Sequence, residues 1–319
     1  MKKISIVVPM YNEEAMVDSF LARIKQVIDP LTDYQFEIVA VNDGSRDATL
    51  ALLISAQKKE PRLKVVNLAR NFGHEPAVAA GLHVATGDAV IPIDADLQDP
   101  PEIIPEMIQK WQEGYFVVNA RRASRKEDSM MKRWTAKKFY DYMQKLSGKI
   151  KVPANVGHYR LIDRKVVDEV NLLSETNRVF RVQVPYIGYK TTEVLFARAK
   201  REHGKSHYNY RSMFDLAINA IISSSIKPVY WGLKIAIGIG VITGVSSLTE
   251  LVLFTINLVN SSLLNGINHP LWLLLNVLFF VTTILLFVLG IISIYVGKTF
   301  VEAQKRPFYI IEDVVEVQE

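Results

Sequence analysis

Two aspartates, Asp94 and Asp96, stand one residue apart where an apolar segment, Gly87–Ile93, comes to an end. The segment predicts a buried parallel strand, and open α/β sheets bind ligands at the carboxyl ends of such strands. Side chains at positions i and i+2 of an extended chain point the same way, so both carboxylates can face one cation. Hard oxygen ligands favour Mg²⁺ or Mn²⁺ carrying a diphosphate, and Gln98 can add a neutral oxygen or hold a metal-bound water. We therefore predict a divalent-metal site at Asp94, Asp96 and Gln98.

The first 120 residues alternate strand and helix patterns, which predicts a doubly wound, mostly parallel sheet. The predicted strands are Ile4–Pro9, Phe36–Val41, Leu63–Leu68 and Gly87–Ile93. The predicted helices are Glu13–Ile28, Asp47–Lys59, Glu75–Thr86 and Pro101–Glu113. In this fold class, the polar clusters that follow parallel strands share one edge of the sheet.

Two further polar clusters follow strands at that edge, one starting at Tyr11 and one at Asp43. The ring of Tyr11 can stack on a base, and Glu13 can bind the polar edges of a nucleotide. An equal alternative is that Asn12 caps the next helix, while the negative charge of Glu13 interacts favourably with the dipole of that helix. The ordinary interpretation of Asp43 is a residue that stabilises a turn. Its position at this edge, where a base or ribose would lie, also allows it to bind a nucleotide. The convergence of these clusters with the aspartate pair predicts a nucleotide site.

Composition and charge narrow the class of protein. The sequence contains no cysteine, which excludes a disulfide framework, a thiolate nucleophile and a Cys-ligated zinc site within it. Residues 227–319 contain 5 Lys or Arg and 6 Asp or Glu, so they carry a net charge of −1 and the residues before them carry +6. A basic domain next to apolar segments is typical of a surface that meets anionic lipid or phosphorylated substrates. No nucleic-acid module is recognisable, and we expect no nucleic-acid partner.

Two apolar segments, Ile235–Val259 and Leu271–Val296, are each long enough to cross the ~30 Å hydrocarbon core of a bilayer. An amphipathic stretch at 212–234 precedes them and predicts helices in the membrane interface. Lysines and arginines flank the pair but are missing from the loop between, so we expect both termini and the large domain to be cytoplasmic. Glu250 lies within the first segment, where a carboxylate is costly. It marks either a functional or helix–helix contact, or a position that faces protein or the interface.

Taken in order, these residues resemble the inverting glycosyltransferases of family 2 with the GT-A fold, whose motifs include P-x-Y-N-E, D-D-G-S and D-A-D. Further matches are the runs 70–73, 96–101 and 155–157, the pair Arg160-Leu161, and the two terminal spans. Within the family the chain is most similar to the polyprenyl-phosphate hexosyltransferases, which include dolichol-phosphate mannose synthase and the bacterial and prophage bactoprenol glucosyltransferases. The resemblance covers essentially the whole chain. It implies a GT-A domain at 1–211, juxtamembrane helices at 212–234, a two-helix transmembrane domain at 235–297 and a cytoplasmic tail at 298–319.

The resemblance also implies roles for individual residues. The nucleotide-sugar would be held by Pro9, Tyr11, Glu13, Asp43 and Asp94. Mg²⁺ or Mn²⁺ and the diphosphate would be held by Asp94, Asp96 and Gln98, and the catalytic set would be Asp94, Asp96 and His158. The lipid phosphate would be bound by Arg121, Arg133, Arg201, Lys205 and His207, in line with the preference of phosphate oxygens for arginine.

Among the departures from the family's motifs, four concern polar positions of the predicted site. Asn42 replaces the first Asp of D-D-G-S, and His74 replaces a Lys after R-N-F-G. His207 replaces a Lys in a basic motif in which Lys205 can take over. His158 replaces an Asp that is a candidate general base in the relatives. A base matters little for a phosphate monoester whose second pKa is near 6, so His158 is a base, a donor to phosphate or a structural histidine.

The function that the resemblance implies is transfer of a hexose to undecaprenyl phosphate with inversion. The main expectation for the hexose is glucose from UDP-glucose. The reaction would take place at the bacterial cytoplasmic membrane and supply a lipid-linked sugar for an envelope glycan such as O-antigen. The alternatives are another donor (UDP-GlcNAc, UDP-galactose or GDP-mannose) or a membrane-anchored pseudoenzyme that regulates a partner. Related enzymes suggest a homo-oligomer packed through the spans.

Overall fold

The computed structural model of the protein describes residues 1–123, 156–173, 180–197, 227–259 and 269–316. The chain divides into two compact units. The first comprises Met1–Ala220 together with Arg306–Glu319, and the second comprises Ile221–Lys305. The predicted juxtamembrane stretch falls mostly outside the described residues, which resume at residue 227.

The described part of the first unit contains one mixed, mostly parallel sheet of eight strands. The strands are β1 (Lys2–Met10), β2 (Tyr34–Asn42), β3 (Leu63–Leu68), β4 (Ala89–Pro92), β5 (Val117–Arg122), β6 (Val156–Asp163), β7 (Thr191–Phe196) and β8 (Ile311–Val315). Their order in the sheet is β7-β5-β6-β4-β1-β2-β3-β8. β6 runs antiparallel to β4 and β5, and β8 runs antiparallel to β3, whereas the other neighbours are parallel. The predicted α/β fold class is confirmed, and the carboxyl ends of β1 to β4 meet at one edge.

Six α-helices of this unit lie within the described residues, and a short 3-10 helix, Pro101–Ile103, precedes the fourth. The α-helices are α1 (Val17–Ile28), α2 (Thr49–Gln57), α3 (His74–Val84), α4 (Ile104–Gln112), α5 (Arg164–Leu172) and α6 (Phe180–Ile187). α1 begins at Val17 and not at the predicted Glu13, because the residues before it bind the loop after β2. The amide of Asn12 donates to Ser45 Oγ at 3.0 Å, and its side-chain oxygen accepts from the Arg46 amide at 2.8 Å. Asn12 therefore joins two loops and does not cap α1.

The core lies on both faces of the sheet, as expected for parallel strands covered by helices on either side. Along β1, Ile4, Ile6 and Val8 face one apolar cluster, which also contains residues of α1 and α4. Val7 faces the other cluster, which contains residues of α3, α5 and α6. All four of these side chains are fully buried. The strand edge that carries the polar loops is thus held from both sides by packed helices.

Close contact between α3 and the sheet occurs at Gly81. A Cβ atom at this position would lie 2.2 Å from Val7 Cγ1 and 3.1 Å from Val41 Cγ2. Only a residue without a side chain lets the helix backbone approach β1 and β2 this closely. The contact fixes α3 on the sheet, and α3 begins with His74 at the edge where the parallel strands end.

The C-terminal segment forms β8 at one edge of the same sheet. Asn67 of β3 donates to Glu312 Oε2 at 2.8 Å, and Lys64 forms an ion pair with Glu316 at 2.7 Å. Tyr309 and Ile311 pack against the cluster beneath α3. The chain therefore returns to the first unit after passing through the second.

The second unit contains two long helices, α7 (Lys227–Val259) and α8 (His269–Ala303). Both are long and apolar enough to cross a membrane, over Ile237–Ile256 and Leu274–Ala303. Asn276 of α8 donates to Glu250 Oε1 of α7 at 3.0 Å, so this carboxylate lies at a helix–helix contact. The two apolar helices expected from the sequence are confirmed.

We expect Gly81→Ala to lower the free energy of unfolding by about 1–3 kcal/mol, because the added methyl group overpacks the contact with Val7. Thermal or chemical unfolding of the full-length protein in detergent measures the change. In a Val7→Ala background, where the nearest methyl group is gone, Gly81→Ala should cost clearly less. Equal costs in the two backgrounds would contradict the close approach of α3.

Candidate active site

Asp94, Asp96 and Gln98 lie on the open side of the loop after β4. All three are half-buried, whereas the residues between them, Ala95 and Leu97, are buried in the core. Leu97 adopts a left-handed backbone conformation (φ 54°), and the Gln98 amide donates to Asp96 Oδ1 at 3.1 Å. This turn continues the alternation of half-buried and buried residues beyond the end of β4. The three oxygen-bearing residues thus occupy the half-buried positions, and the two apolar residues occupy the buried ones.

The donor set fits a divalent cation that is shared with a substrate. Within the described ranges, no group of three or more His, Cys, Asp or Glu residues could hold a metal alone. Mg²⁺ in proteins is commonly bound by one or two carboxylates together with substrate phosphates and water. Two aspartates and one amide oxygen match that pattern. Their role as metal ligands remains a prediction, and a diphosphate would complete the site.

Asp43 acts as a clamp on the loop between β3 and α3. Its carboxylate is buried, and its two oxygens accept from the amides of Phe72 at 2.7 Å and Gly73 at 2.9 Å. Burial raises the pKa of Asp43, although these two hydrogen bonds and the positive charges of His74 and Arg70 act in the opposite direction. The role of Asp43 toward the nucleotide stays a prediction. In the protein itself, Asp43 determines the path of residues 70–73.

Gly44, the next residue, is where the two loops touch. It has φ +62°, and a Cβ atom there would lie 2.4 Å from both the Arg70 carbonyl carbon and the Asn71 nitrogen. Asn42, which replaces the usual aspartate, donates to Asn67 Oδ1 at 2.7 Å. The turn after β2 is therefore built against the turn after β3, and both belong to the same edge.

The other residues predicted to hold a nucleotide lie at the end of β1. Tyr11 is 42% exposed, which leaves its ring free for stacking. Glu13 is half-buried, and its amide donates to Thr49 Oγ1 at 2.9 Å. Pro9 is half-buried within β1. These residues share the edge with Asp43 and the Asp94 loop, which agrees with the predicted nucleotide site without testing it.

Two of the departures from the family motifs, His74 and His158, are in direct contact. Their ring centroids lie 4.6 Å apart in an edge-on arrangement. On one side, His74 Nε2 lies 3.5 Å from Asp94 Oδ1. On the other, His158 Nε2 lies 3.3 Å from Glu75 Oε1. Neither Glu75 nor the pairing of the histidines was predicted from the sequence, since His158 lies 83 positions after Glu75.

His158 is buried, and its surroundings disfavour a positive charge. Burial lowers the pKa of His158 well below its usual value, and the positive charges of His74, Arg181 and Arg160 act in the same direction. The imidazole is therefore neutral at pH 7. A base with so low a pKa is weak toward a phosphate whose second pKa is near 6. Of the three roles left open by the sequence, these observations favour the two in which His158 takes up no proton.

Arg160 lies beside this cluster and is also buried. Its guanidinium donates through Nη2 to the Gly157 carbonyl at 2.6 Å and lies 5.1 Å from the ring centroid of Phe180. Burial lowers the pKa of Arg160 to about 9, with a further contribution from Arg181. The guanidinium is thus still charged at pH 7. It adds to the positive surroundings that keep His158 neutral.

Of the residues predicted to bind the lipid phosphate, only Arg121 falls within the described ranges. It lies near the end of β5 and forms an ion pair with Glu193 of β7, with 2.8 Å between Nη1 and Oε2. The side chain is exposed. Arg133, Arg201, Lys205 and His207 lie outside the described residues, so the predicted basic acceptor surface stays a prediction.

We expect Asp43→Asn to loosen the loop that precedes α3. The asparagine would turn one N–H donor toward a backbone N–H, and leaving a buried donor without an acceptor costs about 1–3 kcal/mol. Hydrogen exchange at the amides of Phe72 and Gly73 should become faster, while the exposed Asp33→Asn serves as the control. Unchanged protection of both amides in Asp43→Asn would rule out the clamp.

Comparison with known proteins identifies the family of this chain. The model of the family described as "Glycosyl transferase family 2" matches residues 5–170. An uncharacterized glycosyltransferase of Synechocystis is 41% identical over 98% of this chain and 95% of its own. A prophage bactoprenol glucosyl transferase homolog of Escherichia coli is 38% identical over 98% of this chain and 99% of its own. The bactoprenol glucosyl transferase of Shigella phage SfV is 38% identical over 98% of each chain. With a GT-A-like sheet and the aspartate pair at its edge, the chain belongs to glycosyl transferase family 2.

Proposed function

We propose that the protein transfers a hexose to a polyprenyl phosphate of the undecaprenyl type, with inversion at the anomeric carbon. The first candidate for the hexose is glucose, donated by UDP-glucose. The observation that carries the proposal is the placement of Asp94, Asp96 and Gln98 on the open side of the sheet edge. The bactoprenol glucosyl transferases that match nearly the whole chain support the acceptor class. They also support the inclusion of the two apolar helices in the functional protein.

On the donor side, this chain's residues bind and orient a nucleotide-sugar. Asp94, Asp96 and Gln98 would hold Mg²⁺ or Mn²⁺, which would supply positive charge for the diphosphate leaving group. Tyr11 stacks on the base while Glu13 and Pro9 border it. Asp43 keeps the loop before α3 against this edge and thereby shapes the donor pocket.

On the acceptor side, the nucleophile is an oxygen of the lipid phosphate. A phosphate monoester is largely dianionic at pH 7, so the enzyme's task is to position it and not to deprotonate it. Arg121, together with Arg133, Arg201, Lys205 and His207, provides cationic donors for phosphate oxygens. Attack from the face opposite the leaving diphosphate inverts the anomeric carbon, and no covalent enzyme intermediate is needed.

We further propose that the protein lies in the bacterial cytoplasmic membrane, with the catalytic unit and both termini in the cytoplasm. The two apolar helices supply the spans. Because β8 follows α8 and pairs with β3, the segments on either side of the helix pair belong to the same unit, which supports an even number of crossings. The charge distribution around the spans favours the cytoplasmic side.

We expect the purified full-length protein to transfer labelled glucose from UDP-glucose to a short polyprenyl phosphate when Mg²⁺ or Mn²⁺ is present. Asp96→Ala should lower turnover by at least about a hundredfold, because the leaving diphosphate loses its electrostatic stabilisation. Extraction of lipid-linked label measures the transfer, and parallel reactions contain UDP-GlcNAc, UDP-galactose or GDP-mannose.

Asp18→Ala, an exposed carboxylate on α1, is the matched control and should retain full activity. Lipid-linked label obtained only from a different nucleotide-sugar would change the proposed donor and leave the proposed reaction class unchanged. Absence of lipid-linked label with every donor would favour the membrane-anchored pseudoenzyme. Full activity of Asp96→Ala, or of the wild type in excess chelator, would refute the metal-assisted reaction.

A further inference from the structure

His158 stands where the relatives' motif has a candidate base, but its surroundings do not suit that role. The ring is 8% exposed. Its Nδ1 atom is buried and, in the part of the chain that the structure describes, has no hydrogen-bond partner. Its other nitrogen, Nε2, faces Glu75. A substrate proton therefore has no open path to the lone pair of this imidazole.

The same ring is contacted on two sides. It stacks on Phe180, with ring centroids 5.9 Å apart and an interplanar angle of 14°. Glu75 holds its Nε2 edge, and the second oxygen of Glu75 accepts from the Phe180 amide at 3.1 Å. One carboxylate thus ties together the first residue of α6 and the imidazole that packs on it.

The remaining side of His158 meets His74, which in turn faces the aspartate pair. His74 is 37% exposed at the side chain, as is Asp94. The edge-on contact with the buried His158 ring restricts the orientation of this otherwise exposed imidazole, since edge-on packing is one of the arrangements that aromatic pairs favour. Its Nε2 is directed toward Asp94 Oδ1.

We propose that His158 is a positioning residue: it acts through His74 to orient Asp94, and it does not act as a base. This inference rests on the proposed function of Asp94 in holding the cation and the diphosphate. Residues that contact a metal ligand, but not the metal itself, orient that ligand and thereby affect metal affinity. Their loss typically weakens metal affinity about 10- to 100-fold. His158 would therefore influence donor binding, a step to which a base for the acceptor contributes nothing.

The test is a double-mutant cycle on metal-dependent nucleotide binding, measured by calorimetry with UDP and Mn²⁺ on the full-length protein, with GDP as a second probe. We expect His158→Ala and His74→Ala each to weaken binding by about tenfold. Adding His158→Ala to His74→Ala should cause no further loss, because the ring would have nothing left to orient. His158→Phe, which restores a ring on the Phe180 face, should recover most of the affinity.

Controls separate this inference from the proposed function. His83→Ala changes an exposed histidine on α3, the helix that also carries His74, and this variant should bind UDP like the wild type. Thermal unfolding of each variant shows whether a loss reflects unfolding, and the cycle remains decisive if His158→Phe does not fold. Normal affinity in His158→Ala, or a further loss in the double variant, would overturn the positioning role. Metal-independent binding of UDP and GDP by the wild type would instead overturn the proposed function.

Discussion

The parallel pairing of β1 with both β2 and β4 is the constraint on which the rest of the site depends. Met10 of β1 pairs with Asn42 of β2, and Val7 pairs with Pro92 of β4. Because all three strands run in the same direction, the residues that follow them emerge together. Tyr11, Asp43 and Asp94 are far apart in sequence, yet strand register alone brings them to one edge.

The loop before α3 connects this edge to the other half of the site. Asp43 binds its backbone, Gly44 leaves room for it, and Gly81 lets the helix that follows lie directly on the sheet. As a result α3 starts beside Asp94, and its first two residues reach in different directions. His74 faces the aspartate, whereas Glu75 faces His158 at the start of β6. The antiparallel direction of β6 is what brings its first residues to this edge.

Much of the architecture followed from local patterns, because apolar runs and polar turns reflect burial along the chain. The strands β1 to β4, the helices between them and the two apolar helices were all anticipated from residue order. The alternation at Asp94, Asp96 and Gln98 also followed from spacing. The start of α1 was misplaced, because Asn12 binds the Arg46 amide of a loop more than thirty residues away. A helix-cap preference describes only neighbours and cannot register such a contact.

The features that escaped the sequence are those made by pairing distant segments. Nothing in the tail alone indicated that β8 would bind Asn67 of β3. The two histidines each looked like a separate departure from a motif, and their contact became visible only in three dimensions. The electrostatic state of His158 has the same origin, because it depends on burial and on the charges of His74 and Arg181, which belong to other segments of the chain.

The central claim is that the aspartate pair at the sheet edge holds a divalent cation together with a nucleoside diphosphate. Anomalous X-ray diffraction from crystals of the full-length protein grown with Mn²⁺ and UDP tests it most directly. We expect an anomalous peak in contact with the carboxylates of Asp94 and Asp96, at metal–oxygen distances of about 2 Å, and with UDP phosphate oxygens. A nucleotide bound at this edge with no manganese on either aspartate, or manganese bound elsewhere, would contradict it.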